Sequence, residues 1–516
     1  MTKLHALWLS SLAPTPTHET CTPWNHNSAK TACVVFVFCV VAAISSPAQT
    51  FTTLFTFDLT DGAFPYGALV QGLDGNFYNT TMQGNGRNQC YGGCGTVFKI
   101  TPQGTLTTLH NFKGTDGGYP VAGLVLGVDG NFYGSTFGDP PFFSGISFIF
   151  EITPDGTLTN LAQTNFGSTA SPSPLMQNLI NGTFYGTGAC DVHPSCPLDM
   201  PGTVFSMTQS GFLTVLHNFC GEASCGGIAK GANPQAPLIQ GTDLFMYGTT
   251  QFGGNDLAQC QSLGCGKVFK IGTGGNVTTL HAFDPSNGDG TFPEGALVEG
   301  GDGNVYGTTS AGGANGYGTV FKMTPAGALT TLYNFGSQED FADGVGPSGG
   351  LIQATDGNFY GTTKFGGANG YISDAGFGTV FQITPEGTLT TIHSFDETEG
   401  MWPQAGLVQG TDGNLYGVAT GTVATHAWGT VFKISMGLAP FAKTVPVAAY
   451  PGKQIFILGT NLMGATSVTF GGTPAAFTVV SATEITATVP KSATTGTVQV
   501  VTPSGTLSSN VPFRVF

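Results

Sequence analysis

Carboxylates gathered in one class of loop are the side chains of this sequence best suited to chemistry. Thirteen of its 30 Asp and Glu residues fall in loops that lead towards a recurrent proline, as at Pro65, Pro120 and Pro403. Such carboxylates can bind cations, hydrogen-bond to sugars or act as acid and base. We therefore predict a ligand-binding face made of Asp58, Asp61, Asp116, Asp284, Asp289, Glu339, Asp340, Asp343, Asp396, Glu399 and Trp402.

Aromatic residues accompany these acids, so the expected ligands are cations, cationic molecules and sugar rings that stack on the aromatic side chains. The aromatic set is Phe64, Tyr66, Tyr119, Phe292 and Trp402. A simpler interpretation is that Asp and Asn start turns ahead of each proline, and that the negative charge only aids solubility. We favour the simpler interpretation and keep the binding face as the functional hypothesis.

Two repeated polar positions indicate structure rather than catalysis. Asp-Gly-Asn triplets recur at Asp74, Asp129, Asp302, Asp356 and Asp412. Each offers one carboxylate in a tight hairpin, whereas calcium takes roughly six to eight oxygen ligands. Histidines recur at His110, His217, His281 and His393, but Phe55, Ala162 and Tyr333 stand at equivalent places, so we predict that this column packs. The sequence predicts no cofactor and no catalytic residue, and it leaves Ca²⁺ binding as an unsupported alternative.

The cysteines predict disulfides and an oxidising compartment. Of 11 cysteines, Cys21, Cys33 and Cys39 lie near the N-terminus. The other eight form four close pairs, Cys90/Cys94, Cys190/Cys196, Cys220/Cys225 and Cys260/Cys265. Even numbers at short spacing favour disulfide bonds. Cys190, His193 and Cys196 could instead supply three zinc ligands, but a second Cys-x-x-Cys arm is missing, so we favour the disulfide.

Composition narrows the class of protein. The 516 residues carry a net charge of −15, which disfavours a phosphate backbone as partner, so we predict no nucleic-acid binding. Charged residues make up 9% of the chain, hydrophobic residues 40%, and glycine occurs 79 times. This profile is typical of an exported all-β protein with a large core.

The first 48 residues resemble a signal peptide with a long n-region. Lys30 precedes an apolar run at residues 31–44, and Ser46, Pro47 and Ala48 supply small residues for cleavage. We expect the mature chain to begin near Gln49, secreted or at the cell surface. Retention as an anchor is the alternative, although a bilayer span needs about 20 apolar residues. We predict no membrane span in the mature chain.

A repeat supplies the elements that position these residues. Its tyrosine falls at Tyr78, Tyr133, Tyr185, Tyr247, Tyr306, Tyr360 and Tyr416, 338 residues over six steps, so the mean period is about 56 residues. Each block has four short apolar runs separated by turn residues, which predicts a four-stranded antiparallel sheet. Around Tyr306 the predicted strands are A (295–299), B (304–309), C (318–324) and D (328–335).

The two ends of the repeat predict a closed circle. The chain enters it with an isolated strand D at 51–57 and leaves it after a strand C at 431–435. One sheet is therefore shared between the ends, which is a way of removing exposed edges. We predict a seven-bladed β-propeller over residues 49–435, with the D to A and B to C loops on one face.

The repeated motifs D-G-N-x-Y-G-T-T and G-T-V-F-K-I-T-P over residues 51–435 resemble the GloVer (choice-of-anchor tandem) repeat. That family is propeller-like and extracytoplasmic, and the resemblance implies no particular activity. After a linker at 436–445, residues 446–516 resemble an IPT/TIG domain. The resemblance implies an immunoglobulin-like β-sandwich, and the alternating strands fit one independently. Such modules usually act as spacers or contact surfaces.

The sequence thus favours an exported, non-enzymatic binding or scaffold protein that is a monomer and contacts carbohydrate, cations or another surface protein. An enzyme needs a non-repeating cluster of acid, base or nucleophile, and the sequence shows none. The alternative is a lyase or hydrolase acting on polysaccharide or a small metabolite, with Asp340, Asp343 and Glu399 as acid and base. A third hypothesis is cell-surface adhesion through residues 446–516.

Overall fold

Strands and turns make up nearly all of the described chain. The computed structural model describes residues 49–84, 90–137, 147–164, 170–190, 202–219, 233–254, 260, 264–369, 376–421 and 428–516. Within them the helical pieces are short 3-10 turns such as Pro285–Asn287 and Glu339–Phe341. The all-β prediction is confirmed. The predicted signal segment, residues 1–48, lies outside the described residues. No helix within these ranges is long and apolar enough to cross a membrane.

Seven antiparallel sheets follow one another along the repeat, and in each the strands pair in the order A-B-C-D. Sheet 1 comprises Val70–Gln71, Phe77–Thr81, Thr96–Ile100 and Leu106–Asn111, and sheet 2 comprises Val125–Leu126, Phe132–Ser135, Ser147–Ile152 and Leu158–Thr164. Sheet 3 comprises Met176–Gln177, Phe184–Cys190, Thr203–Met207 and Leu213–Asn218, with Ala170–Pro172 as an extra strand beside Phe184–Cys190.

The remaining sheets repeat this plan. Sheet 4 comprises Ile239–Gln240, Met246–Thr250, Lys267–Ile271 and Val277–Ala282, and sheet 5 comprises Val298–Glu299, Val305–Thr309, Thr319–Met323 and Leu329–Asn334. Sheet 6 comprises Ile352–Gln353, Phe359–Thr363, Thr379–Ile383 and Leu389–Ser394. Sheet 7 comprises Val408–Gln409, Leu415–Ala419, Thr430–Ser435 and, as its strand D, Thr50–Thr56. A two-residue ribbon pairs Gly290–Thr291 with Ala311–Gly312.

The first strand of the described chain lies beside the last strand of the repeat, as predicted. Thr50–Thr56 pairs antiparallel with Thr430–Ser435, with Phe51 opposite Ile434 and Phe55 opposite Val431. Phe57 follows this strand and is fully buried. Packing links the same regions, since Tyr416 of sheet 7 lies 4.0 Å from Phe77 of sheet 1 between ring centroids.

Strand A is shorter than predicted. In sheet 5 it spans Val298–Glu299 rather than 295–299, because the preceding small residues lie against a neighbouring sheet instead of forming a ladder. A Cβ placed on Gly67 would lie 2.3 Å from the backbone nitrogen of Gly123, one sheet further on. This close approach leaves no room for a side chain at Gly67.

The tyrosine column fills the space between neighbouring sheets. Tyr78 stacks on Phe132 and Tyr306 on Phe359, each with ring centroids 4.0 Å apart. The buried hydroxyl then donates a hydrogen bond to the Asp-Gly-Asn carboxylate four residues earlier, at 2.7 Å from Tyr78 to Asp74. The same bond joins Tyr133 to Asp129, Tyr247 to Asp243, Tyr306 to Asp302, Tyr360 to Asp356 and Tyr416 to Asp412. These carboxylates therefore stabilise the hairpin turn and accept a hydrogen bond from the tyrosine hydroxyl.

The C-terminal residues form a separate pair of four-stranded sheets. One comprises Lys443–Val445, Gln454–Leu458, Glu484–Thr488 and Phe477–Val479, and the other Thr473–Pro474, Ser467–Phe470, Val498–Thr502 and Gly505–Ser508. Ala448–Ala449 pairs in parallel with Arg514–Val515. Their shared core includes Ile457, Phe470, Ile485, Val500 and Phe513.

This C-terminal module contacts A to B hairpins of the repeat. The Thr483 hydroxyl donates to the Leu73 carbonyl at 3.0 Å, and the Phe441 amide donates to the Thr411 carbonyl at 3.1 Å. The Arg514 guanidinium donates to the Thr242 carbonyl. These hairpins, in sheets 1, 7 and 4, lie at the opposite ends of the strands from the D to A loops. The module therefore leaves the acidic loops uncovered.

Candidate functional site

The D to A loops and the B to C loops meet at one end of the strands, and we call this end the loop face. Backbone bridges join the two loop classes, between Ala63 and Gln83 in sheet 1 and between Val345 and Phe365 in sheet 6. Met401 and Gly421 form the same bridge in sheet 7. The prediction that both loop classes share a face follows from antiparallel pairing and is confirmed.

Aromatic residues before the recurrent prolines are held in a left-handed backbone conformation. Phe64, Tyr119, Phe292 and Trp402 have φ of 57°, 50°, 59° and 57°. For a non-glycine residue this conformation costs about 1–3 kcal/mol and needs support from its surroundings. The support is a backbone bridge between sheets. Phe64 donates its amide to the Trp428 carbonyl at 2.6 Å and accepts from the Met82 amide at 3.0 Å.

The same amide bridge recurs around the loop face. Tyr119 donates to the Cys94 carbonyl, Phe292 to the Cys265 carbonyl and Trp402 to the Phe377 carbonyl, at 2.8–3.0 Å. Each bond joins one sheet to the B to C loop of the preceding sheet. The aromatic side chains are thereby set at the junctions between sheets.

A cavity of about 300 Å³ lies at the junction of sheets 6, 7 and 1. Its lining is Phe64, Tyr66, Lys364, Phe365, Trp402, Gln404, Thr420 and Gly421. Four of these are aromatic, and the volume is at the lower end of the range for ligand pockets. Three of the predicted aromatic residues, Phe64, Tyr66 and Trp402, are among them. The fourth aromatic, Phe365, comes from a B to C loop and was missed.

Lys364 is the cation of this cavity. Its ammonium nitrogen lies 5.2 Å from the centroid of the Phe365 ring. Across the described ranges, no carboxylate forms an ion pair with it. A positive charge held over an aromatic face, with protons to donate, can bind hydroxyl or carboxylate oxygens of a ligand.

A polar cluster at the junction of sheets 4 and 5 was missed by the sequence analysis. Glu294 accepts through Oε1 from Gln251 Nε2 at 2.7 Å and from the Ser310 hydroxyl at 3.1 Å. The amide oxygen of Gln251 in turn accepts from Asn233 and Gln235 at 2.6 and 3.0 Å. Burial raises the pKa of Glu294, while these two hydrogen bonds and the Lys364 charge act in the opposite direction.

The sequence did contain a signal for this cluster. The position after the recurrent proline is one of the least repetitive in the chain. It holds Tyr66, Val121, Gln235, Glu294, Ser348 and Gln404. A position that varies while its neighbours repeat is a candidate for function, and Glu294 is its single acid.

Four of the predicted acids form turns within their own loops. Asp58 accepts from the Thr60 amide and hydroxyl at 3.0 and 2.6 Å, and these bonds lower its pKa. Asp284 accepts from Ser286 in the same way, and Asp396 accepts from Thr398. Asp61 accepts from the Asp58 amide at 3.2 Å, and burial raises its pKa. These contacts agree with the turn interpretation.

Three other acids pair with the histidine column, which corrects the prediction that those histidines only pack. His110 Nε2 lies 3.0 Å from Asp116, and His281 Nε2 lies 2.8 Å from Asp289. His393 Nε2 lies 2.8 Å from Glu399 while its ring stacks on Phe51 at 3.8 Å. Burial lowers the pKa of His393, and the Glu399 charge opposes this. The His393 imidazole thus hydrogen-bonds through its edge and stacks through its face.

Tyr333 takes the place of histidine in sheet 5. Its hydroxyl donates to Asp343 at 2.8 Å, and the Ser337 amide donates to the same carboxylate oxygen at 2.9 Å. Glu339 and Asp340 lie nearby in the 3-10 turn Glu339–Phe341. Asp343 and Glu399 are therefore bound within separate loops. None of the ten predicted acids lines the cavity, whereas Trp402 does, together with Phe64 and Tyr66 of the aromatic set.

Two of the four predicted disulfides are present in the described chain. Cys90–Cys94 lies in the B to C loop of sheet 1 and Cys260–Cys265 in that of sheet 4. Cys196, Cys220 and Cys225 lie outside the described residues, and Cys190 is described only as part of strand Phe184–Cys190. Those pairs, and the zinc alternative at Cys190, remain predictions.

Comparisons with known proteins were made on sequence and on structure. No curated protein matches the sequence. A protein from Lactobacillus plantarum is similar in structure at 15% identity and a TM-score of 0.41, over 80% of this chain and 96% of that one. A luciferin-regenerating enzyme is similar at 10% identity and a TM-score of 0.37, over 76% and 98%. A model of the Gloeobacter/Verrucomicrobia repeat matches residues 37–148, 91–300 and 257–480.

Proposed function

The chain belongs to the Gloeobacter/Verrucomicrobia repeat family, and from this premise we propose that it is an exported, non-enzymatic protein that binds carbohydrate on its loop face. We further propose that residues 49–435 form a seven-bladed β-propeller and residues 446–516 an IPT/TIG module. The pairing of Thr50–Thr56 with Thr430–Ser435 supports the propeller, as does the packing of Tyr416 on Phe77. The two four-stranded C-terminal sheets support the module.

The observation that carries the binding function is the aromatic cavity between sheets 6, 7 and 1. Flat aromatic faces bind the apolar faces of pyranose rings, and nearby polar groups orient the hydroxyls. Phe64, Phe365 and Trp402 provide the faces, while Gln404, Thr420 and Lys364 provide the polar groups. The C-terminal module contacts the other ends of the strands, so it does not cover this face.

Export is supported by the two disulfides. Cys90–Cys94 and Cys260–Cys265 each close a short loop, and structural disulfides persist in oxidising compartments. The proposed location is extracytoplasmic, where free or cell-wall polysaccharides are available. A hydrolase or lyase using Asp340, Asp343 and Glu399 gains no support from the geometry, because Asp343 and Glu399 are engaged in separate loops.

Binding of neutral trisaccharides tests the proposal. Calorimetry with cellotriose, mannotriose, xylotriose and galactotriose should show saturable binding to at least one. Tryptophan fluorescence should change in parallel, because Trp402 lines the cavity and Trp428 packs edge-on against Phe64 at 5.3 Å. Trp402→Ala should weaken binding at least ten-fold, since one stacking aromatic is worth about 1.5 kcal/mol.

A matched control is Phe212→Ala. Phe212 is a 70% exposed aromatic beside strand D of sheet 3, at the end of the strands opposite the loop face. It should leave the affinity unchanged. The binding function is wrong if no trisaccharide binds, or if Trp402→Ala has no more effect than this control. Release of reducing sugar from any of these probes would instead favour the enzyme.

A further inference from the structure

Aromatic rings around the cavity form two pairs, each at a junction between sheets. Phe365 meets Trp402 at the junction of sheets 6 and 7, with ring centroids 6.5 Å apart. Trp428 meets Phe64 at the junction of sheets 7 and 1, with ring centroids 5.3 Å apart. In each pair one ring comes from a B to C loop and the other from the D to A loop that follows it.

Two further junctions of the loop face carry a pair of the same kind. Phe252 meets Phe292 at the junction of sheets 4 and 5, with ring centroids 5.7 Å apart. Tyr317 meets Phe341 at the junction of sheets 5 and 6, with ring centroids 4.8 Å apart. Successive junctions from sheet 4 round to sheet 1 thus each hold an aromatic pair, and we call these four pairs the aromatic arc.

The rings of the arc differ from the aromatic rings of the core. They meet edge to face, at interplanar angles of 64–83°, so one ring of each pair keeps both of its faces free of its partner. Tyr317 is 39% exposed, and the other rings of the arc are half-buried. Tyr306 and Phe359, by contrast, stack and are buried. The arc therefore offers aromatic surface that the protein does not use for its own packing.

Small residues connect the pairs. The Ser310 hydroxyl donates to the Phe292 carbonyl at 3.1 Å. Gly346 stands before Pro347, where other loops carry an aromatic residue, and its amide donates to the Tyr317 carbonyl at 3.0 Å. A Cβ on Gly346 would lie 3.7 Å from Cδ2 of Phe365, so a larger side chain would lie against that ring. Glycine therefore keeps the path from Tyr317 to the cavity open.

Polar side chains accompany the rings. Gln404 Nε2 donates to the Thr420 hydroxyl at 3.4 Å, and Lys364 lies 5.2 Å from the centroid of the Phe365 ring. Sugar rings have apolar C–H faces and polar edges, so a sugar chain can contact both kinds of group. An apolar peptide would leave the polar groups without partners, which is costly.

We propose that the aromatic arc is the binding groove of a polysaccharide chain, with sugar rings stacked at successive junctions and one segment of the chain in the cavity. Packed sheets lie about 10 Å apart, so the four junctions extend over roughly 30 Å, which is longer than a trisaccharide. This inference rests on the proposed carbohydrate-binding function and extends it, because it makes the ligand a polymer that is bound along its length.

Chain length tests the inference. Calorimetry should compare the trisaccharides above with the hexasaccharides of the same four series. The hexasaccharide of the best-bound series should bind wild-type protein at least ten-fold more tightly than its trisaccharide. The larger number of registers in a hexasaccharide accounts for only about four-fold, so a ten-fold gain requires contacts outside the cavity. A gain no larger than four-fold overturns the inference.

Tyr317→Ala and Phe252→Ala each remove one ring from a pair outside the cavity. Each should weaken the hexasaccharide about five-fold, as expected for one lost aromatic contact. The double variant should reduce its affinity to within about four-fold of the trisaccharide. Trisaccharide affinity should stay unchanged in all three proteins, which also shows that the cavity is still folded. Trp402→Ala should weaken both probes.

Phe212→Ala, at the opposite end of the strands, is again the matched control and should change neither affinity. The inference is also overturned if Tyr317→Ala and Phe252→Ala weaken both probes equally, or if they leave the hexasaccharide unaffected. Trisaccharide binding that depends on Trp402, without a gain for the hexasaccharide, would preserve the binding function and reject the extended groove. Absence of binding of any of these saccharides to wild-type protein rejects both.

Discussion

At the scale of single residues, the acids of the loop face differ in which groups donate to them. Asp58, Asp284 and Asp396 accept from the turns that they start, and Asp343 accepts from Tyr333 and Ser337. Glu294 accepts from Gln251 and Ser310, which lie in the loops of two neighbouring sheets. The sequence does not separate these cases, because residue type does not reveal which hydrogen bonds a carboxylate has already made.

Asp343 should be a determinant of stability. It is fully buried, and Asp343→Ala would leave the Tyr333 hydroxyl and the Ser337 amide without their acceptor. We expect the free energy of unfolding to fall by about 1–3 kcal/mol. Urea denaturation measures this. Glu339→Ala, which removes an exposed acid from the same loop, should stay within about 0.5 kcal/mol of wild type; equal effects would show that Asp343 has no special role.

Glu294 should make stability depend on pH. Burial raises its folded-state pKa, so its contribution is fully present below the unfolded pKa, about 4.3, and is lost as pH rises through the folded value. Glu294→Gln should therefore increase the melting temperature relative to wild type at pH 7–8, with a smaller increase at pH 4. Calorimetric scans of both proteins across this range measure it. An increase independent of pH would contradict the assigned cause.

At the scale of elements, close backbone approach between sheets decides which residues the repeat tolerates. The turn residues and the alternation of apolar residues predicted strands B, C and D to within a residue or two, since these depend on local geometry. Strand A was predicted too long, because its first residues are ordered by the neighbouring sheet and not by their own ladder. The aromatic residues before proline have a left-handed backbone for a similar reason, because a hydrogen bond to the preceding sheet holds them there.

Gly67 should be intolerant of a side chain. A Cβ there would lie 2.3 Å from the Gly123 nitrogen, so Gly67→Ala must push two sheets apart. We expect a loss of about 1–3 kcal/mol in the free energy of unfolding, as for other overpacked sites. The matched control is Gly274→Ala, whose Cβ would meet nothing within 4 Å. Thermal and urea unfolding of both variants measure the difference, and similar stabilities would contradict the packing described here.

At the scale of the whole molecule, the pairing of the first strand with the last assembles the candidate site. The cavity takes its lining from sheets 1, 6 and 7, so it exists only if strand Thr50–Thr56 joins sheet 7 and sheet 7 packs on sheet 1. Phe64 of sheet 1 also bonds to Trp428, just before strand C of sheet 7. The proposed binding function therefore depends on the pairing of the two ends of the repeat.

An engineered crosslink tests this pairing in solution. Thr52 and Lys433 are opposite each other in the antiparallel ladder, so the pair Thr52→Cys and Lys433→Cys should form a disulfide. It closes a loop of nearly 400 residues, and the chain-entropy model gives a gain of about 6 kcal/mol. Peptide mapping with and without reductant detects the disulfide. The melting temperature under the same two conditions measures how much it stabilises the protein. Thr52→Cys with Lys270→Cys should not crosslink, and failure of the first pair would contradict the pairing.

The sequence by itself determined the strand content, the sheet order within each repeat, the pairing of the two ends and the position of two disulfides. All of these depend on period, turn residues and short spacing along the chain. The tertiary structure alone decided that histidines bind loop carboxylates, that Phe365 joins Trp402 in a cavity, and that Glu294 accepts from Gln251 and Ser310. Each histidine is six to eight residues from its carboxylate, but the loop between them must fold back before the two meet. The other contacts join different sheets, and residues such as Gln251 and Glu294, 43 positions apart, become neighbours only through packing, which the pattern of a repeat does not specify.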